Sequence, residues 1–191
     1  MPRPTKSQID AEILDGAAAL FARHGFARTS IQQVADALGY SKAGLLHHYA
    51  SKQALYDAVL DTHEALADEA MSGLDEIPAG IERDRAFIER SMNFWFEWPG
   101  IAALAQRWSI DGSGDEPRLN RVGLKLLTVL GIDVNAPDWD RLVRVFAATA
   151  GGGFVSRIAT NLNLQRELRA HIVATALDAM GHREQAGAET P

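Results

Sequence analysis

The sequence contains no cysteine, which excludes disulfides, thiolate metal sites and thiol-based redox sensing. No run of about 18 apolar residues occurs, so no segment is expected to span a membrane. The opening residues, MPRPTKSQIDAE, lack the apolar core of a signal peptide, and a cytoplasmic protein is expected. There is no internal repeat, no low-complexity tract and no phosphate-cradling glycine loop, nucleophile elbow or paired catalytic carboxylate motif. A di-metal helical bundle needs Glu-x-x-His on two helices, whereas Glu167 and His171 are four apart and His63 adjoins Glu64. The adjacent His47 and His48 point about 100° apart on a helix and make a poor pair of ligands for one ion. No catalytic residue, cofactor or metal site is therefore assigned, and an enzyme, as a helical bundle, is the least favoured reading.

The chain is 191 residues long, 47% hydrophobic and 23% charged, the composition of an ordinary globular protein with room for one helical body and a small head. Its net charge of −6 is unevenly spread. Residues 1–52 carry six Lys or Arg against four Asp or Glu, a balance of +2, which leaves −8 on the remainder. An acidic body behind a mildly basic tip repels DNA everywhere except at the tip, and so orients an encounter.

The tip holds the most informative stretch, TSIQQVADALGYSKAGLLHHYASK from Thr29 to Lys52. Thr29 and Ser30 are side-chain oxygens just ahead of an apolar run, as an N-cap requires, and Ile31, Val34, Ala35 and Leu38 recur at helical spacing. Gly39 suits the left-handed conformation that ends a helix, and Ser41 can cap a new one two residues later. In that second helix Leu45 and Tyr49 face inward. Lys42, Ala43, Leu46 and His47 face outward, with Gly44 and His48 at the margins. Two short helices joined by a tight turn form a helix-turn-helix whose small, basic outer face fits a major groove. Arg28, beside the first cap, stands where a phosphate can meet the N–H groups of a helix start.

Ahead of this unit, MPRPT is expected to be a mobile arm, and Ile9, Ile13, Leu14, Ala17, Leu20 and Phe21 draw the apolar stripe of a helix ending near His24 and Gly25. Behind it, Ser51 caps a helix running to about Ser72, followed by helices over about 81–97, 101–110 and 118–130, a long helix capped by Asp138 and running through Val143 and Phe146, and, after a turn near Asn161 and Asn163, a last helix over about 164–180. Pro99 and Gly100 are expected to break the chain between two of them, DGSGDEP at 111–117 to form a loop, and the residues after 181 to fray. Gly151, Gly152 and Gly153 fall inside a helix, each costing up to about 1 kcal/mol relative to alanine. Close backbone packing there, or a bend, would offset that cost. The expected fold is all-α, with about nine helices.

Ile13 to Phe21, Gly25, Phe26, Thr29, Ser30, Val34, Ala35, Gly39, Ser41, Lys42, Leu45, His48, Tyr49, Ser51, Lys52 and Leu55 together resemble the DNA-binding domain of the TetR family of transcriptional regulators. Ala43 stands where that pattern usually has glycine, and Leu46 where it usually has a phosphate-touching tyrosine. Leu46 must then meet a thymine methyl, pack inward or leave the contact unmade. The resemblance implies a helix-turn-helix domain over 1–52, an effector-binding and dimerisation domain over 53–181 and a tail over 182–191. It implies phosphate contacts for Lys42, Lys52 and His48 and a groove-facing His47, so that Arg28, Thr29, Ser30, Ser41, Lys42, Ala43, Gly44, Leu46, His47, His48 and Lys52 are the expected DNA-facing set.

A small-molecule pocket is implied near the aromatic cluster that begins at Phe87, with Trp95, Trp98, Gln106, Trp108, Phe146 and Asn161 as candidates, although aromatics at helical spacing also serve as core. A homodimer is implied through the last two helices, with Gly151, Gly152, Gly153, Val155, Leu168, Ile172 and Leu177 at the interface. The function expected is a repressor that leaves a palindromic operator when it binds a small effector. The alternative is a DNA-binding regulator answering to a protein partner.

Overall fold

The computed structural model describes residues 5–111 and 116–182. The arm before residue 5, most of the loop over 111–117 and the tail beyond 182 lie outside the described residues. Among those described the chain is all-α, with helices α1 (Lys6–His24), α2 (Ile31–Leu38), α3 (Lys42–His48), α4 (Lys52–Met71), α5 (Ile81–Glu97), α6 (Pro99–Asp111), α7 (Pro117–Val129), α8 (Trp139–Leu162) and α9 (Gln165–Ala179). By internal contacts the chain falls into two compact units, residues 1–66 with 98–119 and residues 67–97 with 120–191. The division differs from a cut after residue 52 because α6, distant in sequence, returns to α1.

In the first unit, Ile13, Ala17, Phe21, Val34, Leu45, Leu55 and Val59 are at most 1% exposed and form the apolar centre. Two glycines let helices approach closely. A Cβ on Gly16 would lie 2.3 Å from Leu38 Cδ2, so α2 packs onto α1 where no side chain intervenes. One on Gly100 would lie 1.9 Å from the Asp15 carbonyl oxygen, so the start of α6 rests on the α1 backbone. The chain does break ahead of Pro99, as expected, but Pro99 and Gly100 belong to the start of α6, two residues earlier than the expected 101. Proline is tolerated at a first helical position because its missing N–H would have had no intrahelical acceptor. The next two donors are satisfied from α1: Gly100 N and Ile101 N donate to Asp15 Oδ1 at 2.8 and 3.0 Å. Arg107 closes the other end of the contact by donating to the Ala22 carbonyl at 2.6 Å.

In the second unit, α5 and α8 run parallel. Asp84 meets Arg141 at 2.6 Å, and eleven residues further along both helices Trp95 meets Gly152. Asp84, 1% exposed, also accepts from His182 Nε2 at 2.6 Å, which ties the end of the described chain to α5. Asn163 takes the left-handed conformation (φ 57°) and turns the chain from α8 into α9. Arg83 donates to the Ile77 and Val129 carbonyls at 2.7 and 3.0 Å, fastening the connection before α5 to the end of α7.

Through its glycines α8 is a single unbroken helix. Close packing, and not a bend, offsets their cost: a Cβ on Gly152 would stand 2.7 Å from the Trp95 ring. The other side of α8 is apolar and uncovered, with Trp139 70%, Val143 64% and Leu162 60% exposed, and Phe146, Phe154, Val155 and Ile158 also open. By length and composition alone α8 is apolar enough to cross a membrane, a borderline exception to the expectation that no such segment exists.

Candidate nucleic-acid interface

The α2–α3 pair is built by its caps. Ser30 Oγ accepts from Gln33 N at 3.2 Å, while Gln33 Oε1 accepts from Ser30 N at 2.8 Å. That reciprocal pair satisfies two donors that a helix start leaves open. Gly39 ends α2 at φ 73°, and Ser41 Oγ accepts from Gly44 N at 3.0 Å to start α3. Leu45 is 0% exposed and anchors α3. The turn therefore has no freedom to rotate α3 without losing a cap or that anchor. Lys42, Ala43 and His47 are exposed, with Gly44 and Leu46 half-buried, so the side expected to face a groove does face solvent.

Several expected DNA-facing groups are instead engaged by the protein. Thr29 is 2% exposed and its hydroxyl donates to the Gly25 carbonyl at 2.9 Å, which removes it from the set. The cap of α2 is Ser30, and Thr29 is a buried brace of the preceding turn. His48 Nδ1 donates to Asp10 Oδ1 at 3.2 Å, leaving Nε2 as the nitrogen able to meet a phosphate. Lys52 Nζ donates to the Phe26 carbonyl at 2.8 Å and sits 4.2 Å from the Phe26 ring centroid. Its ammonium keeps two further protons, but its position is set by the α1–α2 turn. Arg28 Nε donates to the His24 carbonyl at 3.1 Å, and the guanidinium stays exposed beside Ser30.

Behind this face lie contacts that the sequence does not show. Phe21, Phe26 and Tyr56 cluster with ring centroids 4.6–5.8 Å apart, and the Trp108 indole donates to the Tyr56 hydroxyl. His63 packs edge-on against Trp108 at 5.8 Å, and burial pushes its pKa down to about 4. Burial also raises the Asp15 carboxyl, against the pull of its two N–H donors. Arg118 bridges Asp57 at 2.9 Å, Asp61 at 2.8 Å and Glu116 at 3.0 Å, which holds Asp57 below the usual carboxylate range. Periodicity marks His63 and Arg118 only as helical positions, because their partners are distant in sequence.

A family model for bacterial regulatory proteins of the tetR family matches residues 13–59. The HTH-type transcriptional repressor AcnR of Corynebacterium glutamicum is 33% identical over 181 residues, covering 85% of this chain and 87% of that protein. The chain belongs to the TetR family. The HTH-type transcriptional repressor KstR2 of Rhodococcus jostii is 34% identical over 92 residues, 48% of this chain and 44% of that protein. A solved TetR family transcription regulator from Marinobacter aquaeolei VT8 shares the fold, with a TM-score of 0.57 over 92% of this chain and 98% of that one at 17% identity. TetR-family proteins are transcriptional regulators, so the chain is a DNA-binding regulator and not an enzyme.

The residues expected to line an effector pocket divide between the units: Trp98, Gln106 and Trp108 fall in the first, Trp95, Phe146 and Asn161 in the second. Phe146 is 47% exposed and Asn161 is also open to solvent, so neither lines an interior; both lie on uncovered parts of α8. Trp95 is 9% exposed and lies on Gly152 and Gly153. A groove of about 850 Å³ lies elsewhere in the second unit, lined by Asp138, Asp140, Arg141, Arg144, Thr175 and the end of α9, and includes none of the six.

The expected dimer residues also separate. Gly151 and Val155 are on the open face of α8, and Leu168 is half-buried. Gly152, Ile172 and Leu177 are taken up by the subunit's own core, and Gly153 packs beside Trp95. Gly152 and Gly153 therefore serve packing against α5, while Gly151 stays on the open face. An apolar ridge runs along the open face of α8 from Trp139 to Leu162, and of its residues only Phe146 and Val155 are among those expected at a pocket or an interface.

Proposed function

We propose that this TetR-family protein is a repressor that, as a homodimer in the cytoplasm, seats two copies of α3 in a near-palindromic operator and is released by a small effector. The observation that supports this reading best is the outer face of α3. Lys42, Ala43 and His47 present an ammonium, a methyl and an imidazole, exposed and rigidly placed between a serine cap and the buried Leu45. The repressor sign is supported by the relatives AcnR and KstR2, both transcriptional repressors. Half-sites read by two such helices lie about one turn, roughly 34–36 Å, apart.

The homodimer is supported by the uncovered ridge of α8. Val143, Phe146, Phe154 and Ile158 keep 38–64% of their surface in water, and an apolar ridge of this length is stable when a like surface covers it. A two-fold axis through α8 pairs the ridge with itself. An effector site in the second unit is supported by Trp95 and by Ser156, one turn beyond Gly152 on α8. Ser156 is 0% exposed, and its hydroxyl has no hydrogen-bond partner among the described residues. An unpaired buried hydroxyl costs about 1–3 kcal/mol, which a ligand offering a polar atom would recover. An effector that fits only the form in which the heads are misplaced shifts the population away from DNA by its preference between the forms.

The decisive experiment is selection of bound duplexes from a random pool, followed by a screen for compounds that dissociate the winner. A palindrome with half-sites one turn apart is expected. Recovery of no preferred duplex at low ionic strength would reject the reading. Among dissociating compounds, Ser156→Ala should weaken the release while leaving operator affinity intact.

A further inference from the structure

Side chains that read a base edge through two hydrogen bonds are few in kind: Arg or Lys on guanine, Asn or Gln on adenine. The sequence of α3, KAGLLHH, contains no Arg, Asn or Gln. The neighbouring polar groups able to stand in for them each hold an internal bond. Gln33 is held by Ser30, Gln32 donates to Asp36 Oδ1 at 2.7 Å, Thr29 to the Gly25 carbonyl, and His48 Nδ1 to Asp10. Each bond fixes the orientation of its side chain, and the nitrogen left open on His48 is the one placed for a phosphate. Lys42, at the first position of α3, is a point charge suited to a phosphate oxygen. His47 offers one ring nitrogen at a time.

What remains on the outward side is apolar. Ala43 is exposed and Leu46 half-buried, three residues apart and therefore stacked on one face of the helix. Gly44 lies between them in sequence and lets the backbone come close to whatever they meet. The major groove offers one apolar feature on its floor, the 5-methyl group of thymine.

We propose that α3 recognises its half-site chiefly through thymine methyl groups, met by Ala43 and Leu46, with His47 adding a single hydrogen bond and no bidentate base contact. This rests on the DNA-binding reading above and names the chemistry of its base contacts. Specificity built in this way is shallow per base pair. It falls on the positions where thymines face Ala43 and Leu46, and is independent of the phosphate contacts that set overall affinity.

The test uses the full-length protein and the duplex recovered by selection, with each thymine under α3 replaced by deoxyuridine, which removes the methyl group and keeps every hydrogen-bonding atom. Loss of one buried methyl is expected to weaken binding roughly threefold to fivefold per contacted position. The dependence on salt should not change, because no phosphate contact is lost. Ala43→Gly and Leu46→Ala should each bind the thymine operator more weakly and become indifferent to uracil at the position they face. A uracil operator bound as tightly as the thymine one would overturn the proposal while leaving the DNA-binding reading intact. Selection that yields no preferred duplex would remove both.

Discussion

At the scale of single residues, the head shows how a side chain can be near DNA without being available to it. Lys42 is exposed at the first position of α3. Lys42→Ala should therefore weaken every duplex alike and lower the slope of affinity against salt by about one. An unchanged slope in a salt titration would take Lys42 off the phosphate. Lys52 differs, since its ammonium braces the Phe26 carbonyl. Its removal should lower thermal stability as well as affinity. His63 gives a pH signature. Its folded pKa is about 4 against 6.5 for the free side chain, so the folded protein binds fewer protons than the unfolded chain between those values. Stability from this residue is present above pH 6.5 and is lost as the pH falls towards 4, by on the order of 3 kcal/mol. Denaturation across that window should show a shallower acid slope in His63→Gln than in the parent protein. Equal slopes would mean that His63 is not held neutral.

At the scale of elements, the helix ends were legible because capping chemistry is local. Ser30, Gly39 and Ser41 mark α2 and α3 from residues two to four positions away, and the structure follows them. The start of α6 was not legible, because its cap is Asp15, eighty-five residues earlier. The same distance hides the reason for Gly100. Gly100→Ala should drive a methyl group into the α1 backbone and cost about 3 kcal/mol, read as a fall in melting temperature. A variant as stable as the parent would show that α6 can lift from α1 at little cost. In α8, Gly152→Leu should displace the Trp95 indole and change its fluorescence, a readout that a contact between copies would not move.

For the whole molecule, the uncovered ridge of α8 carries the main prediction. Introducing Asp at Val143 and Arg at Phe154, both exposed within the subunit, should leave helicity and melting intact while shifting sedimentation to the monomer. Because two heads on one operator act by avidity, the monomer should lose about 10²–10⁴ in operator affinity. A dimer persisting in this variant would place the interface elsewhere. The acidic balance beyond residue 52 adds a kinetic expectation: association with DNA should slow with added salt less steeply than for a uniformly basic protein, since only the tip attracts.

By itself the sequence determined the number and order of the helices, the helix-turn-helix and the outward set on α3, since these follow from spacing and caps within a few residues. The tertiary structure alone decided that Thr29 and His48 are partly or wholly spent inside the head. It also decided that Gly152 receives a tryptophan from its own subunit, and that α6 belongs with α1. Each of those outcomes depends on a partner distant in the chain or on which face a neighbouring helix covers. Helical periodicity shows that a face exists, and only packing shows what lies against it.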